Sequence, residues 1–119
     1  MSSSLLVRIA AGLCFGAVAL GAFGAHALKP ALDRNGLTEV WHTAAFYHFV
    51  HAIALFALGL FAGARRGPAW LFIAGIFVFS GSLYLMALTD MRWLGAITPI
   101  GGLCFLAGWA WLVFFPPTR

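Results

Sequence analysis

The sequence WHTAAFYHFVHA (residues 41–52) contains three of the chain's four histidines. An apolar run follows it and ends at Arg65. Only thirteen residues separate His51 from Arg65, and a helix of that length spans about 20 Å, less than the roughly 30 Å of a bilayer's hydrocarbon core. A spanning helix must therefore begin near Ala44 or earlier. His48 and His51 are consequently predicted to lie inside the membrane.

The composition is that of an integral membrane protein. Hydrophobic residues make up 63% of the 119 residues and charged residues 8%, whereas soluble domains carry roughly 25% charge. A spanning helix needs roughly 20 apolar residues, so this length suffices for about four spans. The formal net charge is +4, but the basic residues are scattered or lie at the ends of apolar runs. We therefore expect no nucleic-acid binding.

Apolar runs separated by prolines and charges predict four spans, at about residues 5–28, 40–64, 69–89 and 93–115. The first resembles a secretory signal, but it is longer than a usual signal core and three further apolar segments follow it. The predicted fold class is an all-α integral membrane protein whose four transmembrane helices pack as a small bundle. The whole chain, residues 1–119, is expected to form one membrane domain.

Small and aromatic residues predict how the first two spans pack. Gly12 and Gly16 form a GxxxG motif, and such faces let helix backbones approach closely in lipid. Short spans with these faces also favour a homo-oligomer, or another membrane protein as partner, within the lipid bilayer. Trp41, near the start of the second span, is predicted to lie in the interfacial aromatic belt.

The basic residues indicate the orientation of the spans. In a four-span topology they divide into two groups, with Arg8, Arg65, Arg66 and Arg119 on one side and Lys29, Arg34 and Arg92 on the other. The adjacent arginine pair in the shortest loop favours the first side as cytoplasmic. We therefore predict a multi-pass protein of the cell inner (plasma) membrane with both termini in the cytoplasm.

Successive spans cross the membrane in alternating directions. The end of the first span, the start of the second span, the end of the third span and the start of the fourth span therefore lie in the same layer of the membrane. We predict a polar cluster there, toward the outer face, built around His26, His48 and His51. The further candidates for this cluster are Thr43, Tyr47, Ser82, Asp90 and Thr98.

Several interpretations of these histidines remain open. They could only fix helix packing, which would suit an accessory or assembly subunit. They could handle protons, with Asp90 tuning a histidine. His48 and His51 could bind a metal or haem in a redox membrane protein, although the sequence has no HExxH motif and no full ligand set. Finally, they could line a small-ligand or lipid site. A non-enzymatic role is favoured, with no catalytic residues and no specified cofactor.

Four motifs resemble those of a known family. They are GAFGAHAL at residues 21–28, WxTAxxYHxxHA at residues 41–52, FSGSLY at residues 79–84 and TPIGG at residues 98–102. In these motifs, and over essentially the whole chain, the sequence is similar to domain-of-unknown-function family 423, whose animal relatives are named transmembrane protein 256. The resemblance implies a compact multi-pass protein of bacterial inner membranes without a settled biochemical activity. It assigns no catalytic role to any residue.

Overall fold

The computed structural model describes residues 1–61 and 66–118. Within these ranges the chain is helical and contains no strand. The α-helices are α1 (Ser3–Ala25), α2 (Lys29–Asn35), α3 (Thr38–Gly59), α4 (Arg66–Gly75), α5 (Gly81–Thr89) and α6 (Thr98–Phe114). A π-helical turn, Ile76–Ser80, joins α4 to α5, and a 3₁₀ turn, Arg92–Ala96, precedes α6.

Four helical stretches are long and apolar enough to cross a membrane. They are Ser3–Ala25, Thr38–Gly59, Arg66–Thr89 and Arg92–Phe114. The predicted fold class, an all-α membrane protein with four transmembrane helices, is thereby confirmed. Residues 62–64 of the predicted second span lie outside the described ranges, as do Arg65 and Arg119 of the orientation argument.

Helices α1 and α3 pack against each other in opposite directions. The buried residues of α1 recur at helical spacing and form one face: Leu6, Ala10, Ala17 and Gly24. Gly24 lies against the indole of Trp41 on α3. The indole Nε1 donates a hydrogen bond to the Leu20 carbonyl at 2.9 Å. Because glycine has no Cβ, the bulky tryptophan fits directly onto the backbone of α1.

Two predictions about this interface need correction. Trp41 is only 1% exposed and packs in a buried cluster of residues from α2, α3 and α5, so its side chain does not face the headgroups as an anchor of the interfacial belt would. Gly16 of the GxxxG motif packs near the His48 ring, whereas an added Cβ at Gly12 would have no neighbour within 4 Å. Only the second glycine of the motif therefore contributes to the α1–α3 contact.

The third and fourth spans pack through a glycine–aromatic seam. Each glycine in it lies against an aromatic residue of the other span, in the pairs Gly67 with Trp111, Gly75 with Phe105, Gly101 with Phe79 and Gly108 with Phe72. Gly101 meets the backbone of its partner, and the other three meet rings. The residue numbers rise along one helix as they fall along the other, so the two spans are antiparallel. A Cβ on any of these glycines would overlap its partner. The seam therefore sets the distance and register of α4 and α6.

Helix α2 holds together the end of the bundle at which it lies, here called the α2 end. Asn35 Nδ2 donates to the Ala87 carbonyl at 2.9 Å, which satisfies one of the free carbonyls at the end of α5. Arg92 Nη2 donates to the Asn35 carbonyl and Arg92 Nε to Asp90 Oδ1, each at 2.9 Å. These bonds join α2 to the connection between the third and fourth spans.

The link from α2 to α3 is stabilised by Asp33. Its carboxylate accepts hydrogen bonds from Thr38 Oγ1 at 2.6 Å and from Lys29 Nζ at 2.9 Å. The bond from Thr38, followed by the bond from Lys29, holds the pKa of Asp33 below its ordinary value. The stabilisation is therefore present above the ordinary pKa and is lost as the pH falls through the lowered one.

Candidate functional site

His51 lies within the second span, and both of its ring nitrogens are hydrogen-bonded. Trp109 Nε1 of α6 donates to His51 Nε2 at 2.9 Å, and His51 Nδ1 lies 2.7 Å from the Tyr47 carbonyl oxygen. An indole N–H can only donate and a carbonyl can only accept. These partners therefore assign the proton to Nδ1 and make the ring neutral. The ring also stacks on Phe105, with 3.6 Å between centroids.

His48 faces a different set of neighbours. Its Nδ1 lies 2.9 Å from the Tyr84 hydroxyl on α5. Its Nε2 is buried and makes no hydrogen bond within the described residues. Leu13 of α1 lies beside the same ring. A cavity of about 150 Å³ adjoins the ring, and its other walls include Leu20, Ile76 and Gly81.

The two histidines do not form a metal site. Although they are three residues apart on α3, His48 bonds Tyr84 on α5 and His51 accepts from Trp109 on α6. His51 therefore has no free lone pair for a metal. Nor does any group of three His, Cys, Asp or Glu residues in the described ranges lie close enough together to hold a metal ion. His48 and His51 therefore do not bind one metal ion together, and the haem interpretation stays a prediction.

His26 lies far from the other two histidines. The pairs Gly24 with Trp41 and Gly16 with His48 set the register of α1 on α3. His26 follows Gly16 by ten residues, so it lies about 15 Å along α1 from the level of His48. The predicted cluster of three histidines is therefore not assembled. His26 follows the last residue of α1, Ala25, whereas His48 lies ten residues beyond the start of α3 at Thr38, so the two histidines do not share the depth that was predicted for them.

The other predicted residues are also dispersed. Thr43 is exposed, and within the described residues its side chain makes no hydrogen bond. Asp90 is exposed and paired with Arg92 at 2.9 Å. Ser82 and Thr98 do meet, with 2.6 Å between their hydroxyl oxygens, and join α5 to the start of α6. They line no common site with His48 or His51.

A groove of about 510 Å³ runs between α3 and α6 beside His51. Its aromatic walls are Tyr47, Phe79, Phe105 and Trp109, and it extends along α6 from Pro99. The ten residues from Pro99 to Trp109 correspond to about 15 Å of helix. None of the residues that line it is Asp, Glu, Lys or Arg. Tyr47 and His51 are the predicted site residues that the structure brings together here.

Comparisons with known proteins give the family. A family model described as "Protein of unknown function (DUF423)" matches residues 20–102. This chain belongs to that family. It is 45% identical over 103 residues to the UPF0382 membrane protein YwdK of Bacillus subtilis, covering 82% of this chain and 83% of the relative. It is 46% identical over 101 residues to the UPF0382 membrane protein SSP2132 of Staphylococcus saprophyticus, covering 82% of this chain and 83% of that relative. No solved structure matches the chain.

Membership confirms the family resemblance, and with it a multi-pass membrane protein of unsettled function. Two partners of the histidines in this DUF423 protein are nevertheless absent from the predicted cluster. Trp109, near the end of the fourth span, bonds His51. Tyr84 belongs to a quoted motif, but no role was given to its hydroxyl. The available signal was spacing, because Trp109 follows Phe105 by four residues and so shares its helix face.

Proposed function

We propose that this DUF423 protein is a non-enzymatic membrane protein that binds a lipid-like molecule in the groove between α3 and α6. The supporting observation is the groove itself, whose volume of about 510 Å³ and aromatic walls suit a small ligand. Binding sites are typically apolar clefts of roughly 300–1,000 Å³ with a few polar groups. Leu103 and Leu106 on the groove are exposed, so a ligand can enter directly from the hydrocarbon.

The bonding of His51 supports a second candidate function. Both ring nitrogens are satisfied within the chain, which is what a packing role requires. The protein would then be an accessory or assembly subunit, and the groove would receive a helix of a partner protein. The two candidate functions predict different molecules bound to the protein after purification: a lipid for the first and a partner protein for the second.

Filling the groove distinguishes them. Gly102 lines the groove, and an added Cβ there would have only the Phe79 ring nearby, at 3.8 Å. Gly102→Leu is therefore expected to occupy the groove without forcing the helices apart. Native mass spectrometry of the protein extracted in mild detergent should show a bound lipid-sized molecule on the wild type. At least tenfold less should be bound to Gly102→Leu.

The matched control is Ala110→Leu, which adds the same side chain at an exposed position of α6 outside the groove lining. It should keep the bound molecule. Circular dichroism must show equal helix content in all three proteins. A wild type without bound lipid, or equal binding by the two variants, would contradict the proposed function. A co-purifying membrane protein lost only in Gly102→Leu would favour the accessory role.

We also propose that the protein lies in the cytoplasmic (inner) membrane with both termini in the cytoplasm. Arg66 Nε donates to the Met1 carbonyl at 2.8 Å, so the N-terminus and the start of α4 share one end of the bundle. The acidic residues Asp33 and Asp90 lie at the α2 end. Arg8 and Arg66 at the first end follow the positive-inside rule. A C-terminal fluorescent reporter should be active, and periplasmic phosphatase activity from the same fusion point would reverse the orientation.

A homo-oligomer remains part of this proposal. Added Cβ atoms at Gly12 and Gly21 would have no neighbour within 4 Å. These positions of α1 therefore leave room for the backbone of a second helix to approach.

A further inference from the structure

The chemistry of the groove specifies what kind of molecule it can hold, given the proposed function. No Asp, Glu, Lys or Arg lines it. Its histidine, His51, is neutral because Trp109 donates to one nitrogen and the Tyr47 carbonyl accepts from the other. A charged group inside a membrane is costly unless it finds a partner. A carboxylate, phosphate or ammonium group seated in the groove would find no opposite charge there.

Hydrogen bonding in the groove leaves one side-chain donor free. The Trp109 N–H is bonded to His51, and the His51 N–H is directed to the Tyr47 carbonyl. The Tyr47 hydroxyl makes no hydrogen bond to any described residue, and the side chain is 40% exposed. A hydroxyl without a partner in hydrocarbon costs free energy. A ligand oxygen that accepts this bond would recover it.

The Tyr47 ring is held in a fixed position. It packs on Phe79 with 4.7 Å between centroids and lies nearly parallel to Phe105 at 6.3 Å. Its hydroxyl is therefore presented to a ligand without further ordering of the side chain, which lowers the entropic cost of binding. The groove continues from Tyr47 along α6 to Trp109 as an apolar channel. This arrangement suits a polar head at Tyr47 and a chain beyond it.

We propose that the ligand is an uncharged single-chain amphiphile whose carbonyl or ester oxygen accepts a hydrogen bond from the Tyr47 hydroxyl. Its chain lies against Phe105 and Trp109. Tyr47 thus selects an oxygen-bearing lipid over an alkane, and the absence of Asp, Glu, Lys and Arg from the lining selects it over a charged fatty acid.

Three probes with the same chain test this selectivity. They are methyl laurate, which is neutral with an oxygen acceptor, laurate, which is charged, and dodecane, which has no acceptor. Binding is measured with radiolabelled probes on protein in nanodiscs, with empty nanodiscs subtracted. Wild-type protein should bind methyl laurate about fivefold tighter than dodecane, the value of one hydrogen bond. It should bind laurate at least tenfold more weakly than methyl laurate.

Tyr47→Phe should remove the preference for the ester over the alkane and leave dodecane binding unchanged. The matched control is Tyr84→Phe, because Tyr84 is the chain's other tyrosine and its hydroxyl bonds His48 outside the groove. Tyr84→Phe should keep the ester preference. Thermal melting must show that both variants remain folded.

Each outcome decides a separate point. An unchanged ester preference in Tyr47→Phe would overturn the role of its hydroxyl, and strong laurate binding would overturn the neutral class. In either case the groove would still bind lipid and the proposed function would stand. If the wild type binds none of the probes and carries no lipid from the membrane, the proposed function itself fails.

Discussion

Gly101→Ala is expected to lower the free energy of unfolding by about 3 kcal/mol, as overpacking of a well-packed interface does. Gly101 lies in the glycine–aromatic seam, and an added Cβ would overlap the backbone nitrogen of Phe79. A backbone atom in a helix cannot rotate away as a side chain can. The third and fourth spans would have to move apart. Unfolding in mixed micelles, followed by circular dichroism, measures the loss.

The neighbouring glycine provides the control. Gly102→Ala makes the same chemical change one position later in α6, but its Cβ would approach only the Phe79 ring, at 3.8 Å. Alanine is favoured over glycine inside a helix by roughly 1 kcal/mol. Gly102→Ala should therefore be as stable as the wild type or slightly more stable. Equal destabilisation by both changes would show that the seam does not set the spacing of these spans.

The spans could be predicted because their signals are strong along the sequence. Charges and prolines mark where apolar runs end, and the short run after His51 forced that histidine into the membrane. In the structure His48 and His51 are buried within the spanning helix Thr38–Gly59. These conclusions needed only lengths and the thickness of a bilayer. They required no knowledge of which helices touch.

Lateral packing could not be predicted in the same way. In a soluble protein apolar residues mark the buried face, but in lipid the exposed face is apolar too. Phe46 on α3 is 65% exposed, while Ser80 is completely buried and donates to the Ala44 carbonyl at 2.8 Å. Hydrophobicity alone would have predicted a buried phenylalanine and an exposed serine. The register is instead set by close contacts such as Gly24 on Trp41.

The π-helical turn was also invisible to the sequence pattern. Before it, α4 packs on α6, and after it α5 packs on α3 and α2. One extra residue in a helical turn rotates the following side chains by about 100° around the axis. The third span can therefore present its glycines to α6 in one half and Tyr84 to His48 in the other. The separation of the two histidine environments depends on this change of face.

His51→Ala is expected to cost about 3 kcal/mol, in the range of large-to-small changes in a packed interior. The substitution removes the ring that stacks on Phe105 and leaves the Trp109 N–H without an acceptor inside the membrane. Trp109→Phe keeps an aromatic ring but removes the indole N–H and part of the ring that packs on Phe72. Its cost should be about 1 kcal/mol, since polar contacts between spans contribute about 0.6 kcal/mol on average and at most about 1.7 kcal/mol.

The double variant measures the coupling between His51 and Trp109, apart from the stack of His51 on Phe105. If His51 and Trp109 stabilise the fold as a bonded pair, the double variant should be less destabilised than the sum of the single ones by about 0.6–1 kcal/mol. The remainder of the His51→Ala effect is the lost stack on Phe105. Additive effects would instead mean that the indole does not occupy Nε2. His51 would then keep a lone pair within the groove, free to accept a proton or a hydrogen bond from a ligand.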